Sequence, residues 1–172
     1  MVTLEGGEMA ISVEEYLSTS YDPDVEYVDG VLEERNVGDW LHSITQSNIL
    51  FALRTRYPHL KVVPELRSRT AGTRFRLPDV SVLAKTPNTE YLLDAAFIAI
   101  EVLSKDDRMT KVMEKLAEYA SKGVPNIWVI DPRLRDISVY NDGALVKVKA
   151  ERVVAMNGES EVELTRDEIF AD

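Results

Sequence analysis

Two stretches of the chain are apolar on both sides, AlaPheIleAlaIleGluValLeu at 96–103 and AsnIleTrpValIle at 126–130. Strands covered by helices on both faces need this two-sided apolarity. Between them Met109, Val112, Met113, Leu116, Tyr119 and Ala120 recur at helical spacing, and Lys122-Gly123 supplies a C-terminal cation and a stop. Strand, helix, strand in this order predicts a right-handed parallel crossover.

The flanking segments are shorter. Residues 11–17 predict a peripheral helix, with Ser12 as N-cap and Glu15 at capping-box spacing. Two strands around Asp29-Gly30 predict a hairpin. Asp39 or Gly38 can cap a helix from about Trp40 to Arg56, which Tyr57-Pro58 ends. Residues 61–69 and 74–83 read as two strands joined at Ala71-Gly72, each holding a proline that argues for a bend or an edge. A hairpin around Asn141-Asp142-Gly143, a strand near 152–155 and a final helical turn capped by Thr165 complete the pattern. No linker or repeat divides it, so one domain over 1–172 is expected, with a core of about 22–140.

Composition narrows the chemistry. The chain lacks cysteine and has two histidines, which excludes disulfides and thiolate or all-histidine zinc sites. The first residues carry no basic segment followed by an apolar one, and no run approaches the ~18 apolar residues of a membrane span. A cytoplasmic protein with no membrane partner is expected. The net charge is −10, yet residues 54–76 hold seven basic side chains against the single acid Glu65. That segment is either a strand pair balanced by nearby acids or a phosphate-facing patch of Arg67, Arg69, Arg74 and Arg76.

Three residues carry the candidate chemistry. Glu101 interrupts an apolar strand, and a buried carboxylate needs a partner, which an arginine or a metal ion could supply. Asp79, after Pro78, also lies in a strand-like run, and neighbouring strand ends can bring two carboxylates to one Mg²⁺. Lys115 lies at the flank of the apolar stripe of the following helix, as either a solvated lysine or a cation reaching a cleft.

The order Asp79 in RLPDVSV, Glu101 in IEVLS, then Lys115 and Tyr119 in EKLAEYASKGVPNIWVIDP resembles the Uma branch of the PD-(D/E)XK restriction-endonuclease-like superfamily. The resemblance spans about 10–140 and is most specific in PDV and in KxxxYxxxGVxxxWxxDP. It implies an α+β fold, with a mixed central β-sheet flanked by helices, an N-terminal hairpin and a C-terminal β extension. It further implies an endonuclease that hydrolyses DNA, with Mg²⁺ or Mn²⁺ held by Asp79 and Glu101. Position 103 is Leu, not the usual lysine of E-x-K, so the resemblance makes Lys115 the migrated replacement that stabilises the transition state. Glu26, in EYVDG, matches an acidic position that would complete the metal shell. Glu65 and His42 are second-tier matches, for which pairing with Arg67 or Arg69 and a helix-start role are the simpler readings. Asp131 reads as a strand-end turn residue.

A homodimer is expected, since cutting both strands commonly needs two sites. The alternatives are an inactive domain of this fold that binds nucleic acid or protein, and an enzyme acting on a small phosphorylated substrate.

Overall fold

The computed structural model describes residues 10–158 and 160–172. Residues 1–9, which carry part of the N-terminal expectation, lie outside the described residues. In chain order the elements are α1 (Val13–Ser18), β1 (Val25–Val28), β2 (Val31–Glu34), α2 (Trp40–Arg56), β3 (Lys61–Pro64), β4 (Ser68–Ala71), β5 (Arg74–Arg76), β6 (Val80–Leu83), β7 (Ile98–Val102), α3 (Met109–Lys122), β8 (Asn126–Asp131), β9 (Asp136–Asn141), β10 (Ala144–Lys147), β11 (Arg152–Asn157), β12 (Ser160–Thr165) and α4 (Arg166–Ile169). No helix among the described residues is long and apolar enough to cross a membrane.

The main sheet has the strand order β10-β9-β8-β7-β6-β3, and the β7–β8 pair is parallel, as the strand–helix–strand pattern requires. Its other pairs are antiparallel. Side-chain parity divides the sheet into two cores. Ile98, Ile100 and Val102 of β7 pack with Trp128 and Ile130 of β8 against Ile49 and Leu53 of α2. Ala99, Ile127 and Val129 point the other way and meet Val112, Leu116 and Tyr119 of α3. Each fully buried Leu or Ile contributes roughly 1.5–3 kcal/mol of transfer free energy, so both helices are fixed by these stripes. Gly123 ends α3 in the left-handed conformation, with a φ of 95°.

The segment 61–83 departs from two continuous strands. Each predicted strand breaks, because Pro64 and Pro78 have no N–H for a ladder and Glu65 takes a left-handed turn with a φ of 50°. The outer halves, β3 and β6, pair within the main sheet, while β4 and β5 join β1 and β2 in a second sheet of order β2-β1-β5-β4. The segment is thus a bent hairpin that ties the two sheets together.

Two smaller differences follow from packing. Helix α1 is not peripheral: Tyr16 is fully buried, its hydroxyl donates to the Val25 carbonyl at 2.9 Å, and its ring stacks on Tyr27. Strand β11 has a partner, β12, whose Val162 and Leu164 alternate into the core with polar neighbours between them. Helix α2 buries His42, Thr45, Ile49 and Leu53 and leaves Trp40 and Phe51 each 74% exposed.

Candidate active site

Sheet register brings the two carboxylates together. Strands β6 and β7 run antiparallel with Val80 opposite Ile100, so one step further along places Asp79 beside Glu101. Both residues have the parity of Ala99 and turn away from the α2 core. Glu101 therefore meets α3, where Lys115 and Tyr119 stand one turn apart on one face. The Tyr119 hydroxyl donates to Glu101 Oε1 at 2.6 Å, and Lys115 Nζ donates to Oε2 at 3.0 Å.

Asp79 is fixed from several directions. The Val102 N–H donates to its Oδ2 at 2.8 Å, Gln46 holds its carbonyl at 2.8 Å, and Arg35 donates to Oδ1 at 3.0 Å. His42 Nε2 lies 3.5 Å from the same Oδ1, and its Nδ1 is 3.2 Å from Ser104 Oγ. Asp79, Glu101, Lys115, Arg35, His42 and Ser104 line an open cleft of about 510 Å³.

Glu26 lies on the far side of Lys115. Its Oε1 is 3.0 Å from Lys115 Nζ and accepts the Leu77 N–H at 3.1 Å, while Oε2 accepts from Arg76 at 3.0 Å. Both oxygens are thus engaged by nitrogen donors. Burial would raise the Glu26 pKa, but Lys115 and Arg76 outweigh it and hold the carboxylate charged. Lys115 is held charged in turn: burial disfavours the cation, and Glu101, Glu26 and Asp79 more than compensate.

Asp79 and Glu101 behave differently. Burial pushes both pKa values up, Lys115 only partly offsets this, and for Glu101 the negative charges of Asp79 and Glu26 add to the rise. The charged forms of the pair are therefore disfavoured chiefly by burial, and a further cation beside them would offset that penalty. Among the described residues no three His, Asp or Glu side chains form a ready-made metal cage. Two under-compensated carboxylates on a solvent-open cleft nevertheless fit a hard cation that keeps several waters, as Mg²⁺ does.

Of the two readings of the 54–76 segment, the ion pairs agree with strands balanced by nearby acids. Arg76 is buried and bonds Glu26, Glu33 and Glu118, at 3.0, 2.9 and 2.7 Å respectively. Arg74 pairs with Asp29 and Glu118, and Arg67 pairs with Asp24 while lying over the Tyr16 ring. Acids that are remote in sequence pair with these three arginines, of which Arg76 alone is buried. Arg69, half-buried on β4, is left without the companions that would make a patch. Glu65 pairs with Arg35 at 3.3 Å, not with Arg67 or Arg69. Asp131 caps a turn, accepting from the Arg133 and Leu134 N–H groups at 3.0 and 3.1 Å.

Arg35 is the site residue that the sequence pattern does not mark. It follows β2 directly, and its contact with Asp79 spans 44 positions, so no local spacing signals it.

A family model described as "Uma2: Putative restriction endonuclease" matches residues 13–167. No curated protein matches the chain. Among solved structures, a protein from Anabaena variabilis titled "putative nuclease belonging to DUF820" is similar with a TM-score of 0.74 and 24% identity, covering 94% of this chain and 98% of that one. That likeness extends the architecture above over nearly the whole chain.

Proposed function

The chain belongs to the Uma2 family, and on that premise we propose that it is a divalent-metal-dependent endonuclease acting on DNA. The observation that carries this reading is the buried Asp79–Glu101 pair served by Lys115. Asp79 and Glu101 would hold Mg²⁺ or Mn²⁺, which when bound acidifies a water and polarises the scissile phosphate. Lys115 would stabilise the negative charge that develops on the phosphate, and its ammonium is already held in place by Glu101 and Glu26. Tyr119 fixes Glu101, and the Val102 N–H and Gln46 fix Asp79, so these carboxylates lose little freedom on binding. Glu26 acts through Lys115 in this reading rather than as a metal ligand, because Lys115 and Arg76 already outweigh its burial and hold it charged, whereas Asp79 and Glu101 are left with raised pKa values.

Asp79→Ala should abolish Mg²⁺-dependent nicking of plasmid DNA by the purified protein. Unchanged nicking would sink the assignment. A homodimer remains the unit expected for cutting both strands.

A second reading, a non-catalytic domain that binds nucleic acid or protein, draws support from the net charge of −10 and the inward-turned arginines. Calorimetry with Mn²⁺ separates the two. A module would show no Mn²⁺ binding in the wild type and no change in Glu101→Gln, whereas the nuclease binds Mn²⁺ and loses it in that variant.

A further inference from the structure

Arg35 stands where the carboxylate pair faces the cleft. One of its terminal nitrogens is 3.0 Å from Asp79 Oδ1, the oxygen that the backbone leaves free, and the other is 3.3 Å from Glu65 Oε1. The guanidinium feels Glu101 and Glu26 as well. Burial works against its charge, and Asp79, Glu65, Glu101 and Glu26 together hold it firmly protonated. Its side chain is 18% exposed, against 47% for Glu65, so the pair runs from the buried site towards solvent. Glu65 occupies a left-handed backbone position where a non-glycine residue is uncommon. Its carboxylate meets Arg35 and not the neighbouring arginines.

We infer that Arg35 is a built-in counter-ion of the site, which a divalent cation must displace from Asp79 and which Glu65 receives. The inference rests on the metal reading above and adds a residue that controls access to it. A planar guanidinium can bond two carboxylates at once, so it can leave one partner without entering water alone. Cation capture therefore exchanges one ion pair for another, and the released face of Arg35 is presented to the cleft, where a substrate phosphate would lie.

The test is calorimetric titration of the full chain with Mn²⁺ alone, with thermal unfolding as the check on folding. Arg35→Gln should bind Mn²⁺ on the order of tenfold more tightly than the wild type, the scale of ordinary coupling between sites. Glu65→Gln should bind it several-fold more weakly, because Arg35 then has Asp79 as its sole partner. The double variant should match Arg35→Gln, since Glu65 acts only through Arg35. Arg35→Lys keeps the charge but loses the fork, so it should leave the Glu65 variant without effect. Equal affinities in the wild type and Arg35→Gln overturn the role of Arg35 and leave the metal reading standing. Absence of Mn²⁺ binding in both overturns the metal reading and this inference together.

Discussion

Two clusters of charged side chains lie next to each other and share Glu26. In one, Arg76 is wrapped by Glu26, Glu33 and Glu118, and Arg74 joins Glu118 to Asp29. In the other, Asp79 and Glu101 face Lys115 and Arg35 across an open cleft. The first cluster is closed. Burial would raise the pKa values of Glu118 and Glu33, yet their bonds to Arg76 and its neighbours bring both below the ordinary value. The second is held in the opposite state, with both carboxylates pushed up. The same residue types therefore brace the fold in one place and in the other leave carboxylates whose burial is only partly offset. What separates them is burial: Asp79 and Glu101 are buried beyond what their cations offset, while Glu33 and Glu118 are only partly buried.

The largest effect should come from breaking the closed cluster. Arg76→Met keeps the volume and removes the charge, taking from three carboxylates their shared buried cation and leaving them only Lys115, Lys111 and Arg74, and should cost about 3–5 kcal/mol in urea unfolding. Lys115→Met tests the open cluster in the same way. Glu101 is already inclined to take up a proton, so it can neutralise itself, and the loss should be about 1.5–3 kcal/mol. Equal costs for the two substitutions would erase the distinction between the clusters.

The smallest effect concerns acid. The Glu118 pKa is lowered on folding, so its contribution is present above the unfolded carboxylate value of about 4.3 and is lost as pH falls through the folded value. Glu118→Gln should accordingly show a shallower loss of stability below about pH 4.3 than the wild type. Parallel acid-unfolding curves would remove Glu118 from the brace.

Much of the frame is legible in the chain because its signals are local. Asp39 caps α2 by accepting the His42 N–H, and Gly123 terminates α3, both within a few residues of the pattern that predicts them. The two-sided apolar runs announce β7 and β8, and Glu101 announces itself by contrast with them. The unreadable part depends on register between distant segments. Counting charges along 54–76 leaves a patch and an acid-balanced strand pair equally open, because the acids that quench Arg74 and Arg76 come from α3 and the first hairpin. Arg35 is silent for the same reason. Pro64 and Pro78 mark bends, but which half of each strand joins which sheet is settled only when β5 finds β1 and β6 finds β7. Half-polar β12 shows too weak an alternation to be read without its partner.

The two tryptophans sit at opposite extremes of exposure, Trp128 at 1% in the main core and Trp40 at 74% on the outer face of α2. Indole emission shifts to longer wavelength in water and is quenched by dissolved iodide, so the molecule carries two optical probes with separable signals. Trp128 reports the integrity of the sheet that bears Glu101. Trp40 reports whatever comes to rest on the surface of the helix that bears His42 and Gln46, with no label attached.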